Sequence, residues 1–183
     1  MQLRAADVRA LAYALCVLAA VAAAPVRAQA PAAGEQAQMP AQYHPDTGDA
    51  WLDAQLADIN AYASRYPESF LDELVRYAGI SYPYVSALLK EQGWPGGDIY
   101  LACFLGQAME TGCRPLVRAL AADRRAGWSV ALAQLPSPPQ RLQWRAVRHG
   151  LVDSYRRWDR PITPDAVLRR QLADKAATAK AAR

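Results

Sequence analysis

The chain has 183 residues, with 21 basic and 17 acidic side chains, a net charge of +4 and only two histidines. Beyond an apolar N-terminus, no stretch reaches the roughly 20 apolar residues that a transmembrane helix needs. The sequence contains no Gly-x-Ser-x-Gly elbow, no His-Glu-x-x-His pair and no Gly-rich phosphate loop, so these catalytic and cofactor-binding classes are excluded. These absences favour a protein that is not an enzyme but leave the question open, and we predict no cofactor.

The first 30 residues have the pattern of a secretory signal peptide. Arg4 and Arg9 supply the positive charge, residues 11–24 form an apolar core, and Ala28-Gln29-Ala30 is a small-x-small cleavage site. Cys16 lies inside the apolar core and would be removed with it. An uncleaved anchor is the alternative, but the apolar run is short and rich in alanine. We expect export and, in a bacterium, a periplasmic or extracellular location.

Composition divides the rest of the chain into three parts. Residues 31–48 are rich in Ala, Gln and Pro without apolar periodicity, which predicts a flexible linker. Residues 49–172 show the apolar spacing of short amphipathic helices and no useful strand alternation. Residues 173–183 form an Ala/Lys-rich tail that we expect to fray. The predicted fold is all-α, a compact multi-helix bundle of short helices joined by αα-corners.

Four side chains near the start of the helical region raise the question of a metal site. His44, Asp46, Asp49 and Asp53 lie close together in the sequence. The alternative is a turn over residues 46–49 followed by a helix N-cap, with acidic side chains favoured by the helix dipole. We favour the turn and cap, and predict no metal here.

The segment 85–105 is the expected centre of the bundle. Gly93 predicts the end of one helix, and Asp98 is the expected N-cap of a more apolar helix that follows. A second Gly-Trp pair, Gly127-Trp128, comes 34 residues after Gly93-Trp94, a spacing typical of a duplicated helix pair. Chance similarity in an Ala- and Leu-rich chain is the alternative.

Removal of Cys16 leaves two cysteines, Cys103 and Cys113, in an oxidising compartment. We predict a disulfide between them. In one unbroken helix these residues would lie more than two turns apart. The bond therefore requires the helix to end early or residues 110–112 to double back.

Charge is unevenly distributed along the chain after residue 30. Residues 31–113 contain 3 basic and 11 acidic side chains, whereas residues 114–183 contain 15 basic and 5 acidic ones. One interpretation is internal pairing, with the acidic first helices lying against the basic later ones. The other is a basic face that binds an anionic partner. We favour internal pairing, although both can hold at once.

The segment 141–158 predicts a long helix with arginines beside an aromatic stripe. Asp153 and Arg157 have the i,i+4 spacing of an ion pair on this helix. Such a face can bind an envelope protein or an anionic surface, such as lipid headgroups or lipopolysaccharide. An aromatic stripe that faces the core, with arginines that meet the acidic helices, is the alternative. A helix-turn-helix pattern over residues 71–93 lacks a basic recognition helix, so we predict no specific nucleic-acid binding. The predicted binding residues are Arg141, Arg145, Arg148, Arg156, Trp144 and Trp158.

Acidic residues give a second functional hypothesis, a small hydrolase that acts on cell-wall material. It requires a pocket in which two carboxylates converge, at least one of them partly desolvated. The residues that would supply them are Glu68, Asp72, Glu73 and Asp98. A solvated helix face explains most of these carboxylates equally well, and we assign no catalytic residue.

Three motifs occur together over residues 49–151. They are Gly-Asp-Ile-Tyr-x-Ala-Cys at 97–103, Arg-Pro after Cys113, and Arg-x-x-Gly-Trp at 124–128. In this combination the chain resembles a set of secreted bacterial all-helical proteins with no assigned activity. The resemblance implies a fold and a location, and no site residues.

Overall fold

A computed structural model describes residues 43–181, and within this range it contains helices and no β-strand. The all-α prediction is confirmed. The signal peptide, with Cys16, and residues 31–42 of the linker lie outside the described residues. The helices are α1 (Ala50–Arg65), α2 (Pro67–Tyr77), α3 (Tyr82–Ser86) with a π-helical turn (Ala87–Glu91), α4 (Gly96–Ala108), α5 (Cys113–Ala122), α6 (Gly127–Ala133), α7 (Arg141–Arg157) and α8 (Ala166–Ala181).

Helix α4 forms the centre of the bundle, as the sequence predicted. Every residue from Gly96 to Gly106 is buried, and α1, α5 and α7 pack around it. Two glycines allow α1 to come close. A Cβ atom at Gly96 would collide with the Cβ of Ala63, and one at Gly97 would collide with the carbonyl oxygen of Leu56. The α1–α4 interface therefore depends on two residues without side chains.

Helix α1 begins at a turn and an N-cap. The carboxylate of Asp49 accepts a hydrogen bond from the backbone N–H of Leu52 at 3.1 Å. Asp53 accepts one from the hydroxyl of Thr47 at 2.6 Å. The predicted N-cap is confirmed, and both carboxylates have structural partners. No group of three or more His, Cys, Asp or Glu residues within 43–181 is placed to hold a metal ion.

The chain doubles back after α4, which brings the two cysteines together. Glu110 and Gly112 both have positive φ angles, of 59° and 75°. The backbone N–H groups of Thr111 and Gly112 donate to the carbonyl of Gly106 at 3.0 Å. Cys103 and Cys113 form the predicted disulfide, with their Cα atoms 4.1 Å apart and both side chains buried.

The predicted N-cap of α4 was wrong. Pro95, and not Asp98, occupies the N-cap position of α4, and Asp98 lies in the first turn with its side chain buried. The two Gly-Trp pairs also differ, because Gly93 follows the end of the π-helical turn whereas Gly127 is the first residue of α6. A positive φ angle is what the two glycines share.

The two ends of the described chain belong to the segments that the sequence assigned to the linker and to the tail. Residues 43–48, assigned to the linker, contact α4 and α6: Pro45 is buried, and its carbonyl accepts from the N–H of Trp128 at 2.8 Å. Helix α8 continues to Ala181 through the segment expected to fray. Its side chains from Ala173 onwards are exposed, and Leu168 is its buried contact with the bundle.

Candidate functional site

Four of the six predicted binding residues line one groove, between the first half of α7 and the start of α8. The groove has a volume of about 510 Å³. Arg156 and Trp158 are not part of it, because they lie near the other end of α7. The lining residues are Arg141, Leu142, Trp144, Arg145, Arg148, Asp165, Val167 and Gln171.

Local sequence signals position both walls of this groove. Gln140 and Gln143 form a capping box that starts α7 directly after the proline-rich break. Asp165 starts α8 by accepting a hydrogen bond from the N–H of Leu168 at 2.8 Å. Leu168 is completely buried, so it fixes the first turn of α8 against the bundle.

Arg148 also lines the groove, and its guanidinium group is paired with two carboxylates. Its guanidinium binds the carboxylates of Asp49 and Asp165, and its carbon Cζ lies 4.6 Å from the centre of the Trp51 ring. The backbone hydrogen bond from Leu168, together with Arg148, holds the pKa of Asp165 below its ordinary value. Arg148 therefore connects α1, α7 and the start of α8, and its charge is neutralised.

Arg141 and Arg145 line the same groove, and both are exposed. Neither side chain forms a hydrogen bond or an ion pair with any of the residues 43–181. They are one helical turn apart, so they lie on the same side of α7. The half-buried ring of Trp144 lies beside them in the wall of the groove. The groove therefore has a net positive charge.

Two aliphatic side chains protrude at the same place. Leu142 on α7 is 73% exposed and Val167 on α8 is 49% exposed. Each belongs to a different wall of the groove. The arginines and the exposed apolar side chains thus form one surface, which we call the basic–apolar edge and define by Arg141, Leu142, Trp144, Arg145 and Val167.

In the second half of α7, similar residues contact other side chains of the protein. Trp158 stacks on Tyr62, with ring centres 4.3 Å apart. Arg156 forms an exposed pair with Asp153 at 3.4 Å. The expected pair between Asp153 and Arg157 is not formed, because Arg157 binds Glu73 on α2 instead. Arg157 therefore matches the interpretation in which the arginines meet the acidic helices, whereas Arg156 is paired within α7.

Arg157 belongs to a buried polar network that the sequence did not reveal. The hydroxyl of Ser154 donates to Glu73 at 2.6 Å and lies 2.8 Å from the hydroxyl of Tyr100. Burial raises the pKa of Tyr100, so it stays protonated. Glu73 and Ser154 are almost inaccessible to solvent. The network joins α2, α4 and α7, and its carboxylate is bound by Arg157 and Ser154.

A second buried carboxylate, Asp98, has no arginine bound to it. It accepts hydrogen bonds from the hydroxyl of Tyr43 at 2.7 Å and from Nε1 of Trp128 at 2.9 Å. Desolvation by burial raises its pKa, and the two hydrogen bonds oppose this shift. Asp98 therefore fixes residues 43–48 and α6 to the central helix. The sequence signal for this role was an acidic residue beside a long apolar run.

The carboxylates of the hydrolase hypothesis do not converge as free groups. Glu68 pairs with Lys90 at 2.6 Å, and Asp72 pairs with Arg76 at 3.6 Å. Asp72 and Glu73 line a common surface groove, but both are held by arginines. Lys90 and Tyr82 lower the pKa of Glu68, so it is held in the ionised form.

No protein-family model, curated protein or solved structure shows significant similarity to this chain. The resemblance to secreted bacterial helical proteins therefore stays a prediction, as does export. Among the helices of residues 43–181, none combines the length and apolar character needed to cross a membrane.

Proposed function

We propose that this chain is an exported, non-enzymatic helical protein of the cell envelope, and that it binds an anionic partner through the groove between α7 and α8. The observation that carries this proposal is the position of Arg141 and Arg145. Both are exposed and lack a partner among residues 43–181, and they lie beside Trp144 in one groove.

Charge pairing explains why the binding surface lies at this end of α7. The acidic first half of the domain supplies Asp49 to Arg148, Glu73 to Arg157 and Asp58 to Arg160. No acidic residue within 43–181 is paired with the first two arginines of α7. An anion in the groove would form charge-assisted hydrogen bonds with both guanidinium groups without breaking an existing ion pair.

Heparin chromatography of the full chain tests this proposal. We expect the wild type to bind at low salt and the double variant Arg141→Gln/Arg145→Gln to elute at clearly lower salt. The matched control is Arg118→Gln/Arg125→Gln, which removes two exposed arginines on α5 and the turn that follows it. These two side chains also lack ion pairs within the described residues.

Two results would contradict the proposal. The first is a wild type that does not bind heparin even at low salt. The second is an equal loss of binding in both double variants, because this would show that net charge alone, without the groove, determines the interaction.

A further inference from the structure

We infer that the anionic partner of the basic–apolar edge is a lipid bilayer, with phosphates bound by Arg141 and Arg145 and with Leu142 and Val167 inserted among the acyl chains. This inference rests on the proposed function and names its ligand. It depends on an observation that the charge argument does not use, the exposure of two aliphatic side chains at 73% and 49%.

The arrangement of the edge matches a peripheral membrane site. Leu142 follows Arg141 directly in the first turn of α7, and Val167 lies on the opposite wall of the groove. Apolar side chains beside exposed arginines are typical of protein surfaces that lie in the headgroup region, because the apolar groups enter the acyl boundary while the cations remain among the phosphates. Trp144 adds an aromatic ring of the kind enriched at this depth.

A soluble polyanion or a protein would be less complementary to the exposed arginines and aliphatic side chains of the basic–apolar edge. A polysaccharide or nucleic-acid backbone offers sulfates or phosphates to the arginines but gives Leu142 and Val167 no apolar environment. A stable protein interface buries about 800 Å² on each partner, which two isolated aliphatic side chains and one half-buried ring do not supply. A bilayer requires no such complementary shape.

The charges around the edge favour an anionic leaflet. Residues 141–181 contain ten basic and four acidic side chains. Of the acidic ones, Asp165 is bound to Arg148, and Asp153 lies near Arg156 and Lys175. Arg169 and Arg170 on α8 are exposed and extend the positive region beside the groove.

Sedimentation with vesicles tests the inference. The probes are mixed phosphatidylglycerol–phosphatidylcholine vesicles and vesicles of phosphatidylcholine alone, each with the full chain. We expect binding to the anionic vesicles only. Replacing both aliphatic side chains, as in Leu142→Ser/Val167→Ser, should weaken vesicle binding about tenfold or more. Heparin binding should weaken much less, because it requires no apolar insertion. The matched control Val130→Ser removes an exposed aliphatic side chain on α6 and should bind as the wild type does.

Fluorescence quenching by brominated phosphatidylglycerol distinguishes insertion from adsorption. The wild type should be quenched more than Trp144→Phe, because the other four tryptophans do not belong to the edge. The arginine double variant should lose both heparin and vesicle binding.

The outcomes separate the two proposals. Wild-type binding to heparin but not to anionic vesicles would overturn the lipid inference and leave the proposed function intact, as would normal vesicle binding by the Leu142/Val167 variant. A wild type that binds neither heparin nor vesicles would overturn both.

Discussion

In the first half of α7, Arg141 and Arg145 lie exposed beside Trp144, whereas in its last turn Arg157 binds the buried carboxylate of Glu73 and the next residue, Trp158, packs on Tyr62. Both halves of the helix contain arginine and aromatic side chains. The difference lies in the residues that contact each half. Carboxylates of α1 and α2 bind the second half, and Arg148 is the first arginine along α7 that is paired with a carboxylate. Arginines of one row therefore stabilise the fold or remain available to a ligand according to their neighbours.

The largest effect should come from breaking the buried pair. Arg157→Ala leaves Glu73, with a side chain only 3% exposed, without its cation. We expect the free energy of unfolding to fall by about 3 kcal/mol, the lower end of the range for broken buried pairs, because Arg157 itself is partly exposed. Urea denaturation measures this change. A loss below about 1 kcal/mol would show that Arg157 contributes no more than an exposed arginine does. The two halves of α7 would then not differ in the structural role of their arginines.

The next prediction concerns Asp98, the buried carboxylate that has no bound arginine. Asp98→Ala leaves the hydroxyl of Tyr43 and Nε1 of Trp128 without their acceptor. We expect a loss of about 2 kcal/mol, and a smaller one in Asp98→Asn, which keeps an oxygen at the same place. Thermal unfolding of the two variants side by side measures the difference, and equal losses would show that the negative charge of Asp98 matters more than its hydrogen bonds.

The same residue predicts a pH dependence of stability. Burial raises the pKa of Asp98 above its ordinary value of 3.8, so the folded state binds this proton more tightly than the unfolded state. The contribution of Asp98 to the free energy of unfolding is therefore most favourable below pH 3.8, and it declines as the pH rises through the raised pKa of the folded state. Asp98→Asn lacks the titration, so its stability relative to the wild type should increase from pH 3 to pH 7. A constant difference across this range would contradict the shift.

Arg148, at the boundary between the two halves, should have an intermediate effect. Arg148→Ala removes the link from α7 to Asp49 and Asp165, but these carboxylates are about one third exposed and can be hydrated. We expect a loss of about 1 kcal/mol, together with faster hydrogen exchange in α8. Unchanged exchange in α8 would show that Leu168 alone holds this helix.

The smallest effect should be that of the exposed arginines. Arg145→Ala should change the free energy of unfolding by less than about 0.5 kcal/mol, because its side chain has no polar partner within residues 43–181. The same variant should weaken heparin binding. A stability loss as large as that of Arg148→Ala would mean that Arg145 has a role in folding. The arginines that stabilise the fold would then begin nearer the start of α7.

Local signals in the sequence were sufficient for several features. The N-cap at Asp49 follows from an acidic residue before an amphipathic run. The disulfide follows from two cysteines and the chain reversal that they require, which Gly112 makes accessible. Each of these depends on residues close together in the chain, so pattern and spacing contain the necessary information.

The buried polar contacts could not be predicted in the same way. Ser154 and Glu73 are 81 positions apart, and Tyr43 and Asp98 are 55 positions apart. Their pairing depends on how helices pack against each other. For this reason Asp98 was misread as an N-cap, and Arg157 was assigned to an exposed pair with Asp153.

The sequence by itself determined that residues 43–181 form helices, where α1 and α7 begin, and that the charge of the chain is divided between an acidic and a basic half. These properties come from local propensity, capping and composition. Only the tertiary structure decided which arginines the acidic half neutralises, because a charge on α7 is paired or free according to the distance to a carboxylate on another helix. That distance leaves Arg141 and Arg145 exposed beside Leu142, Trp144 and Val167.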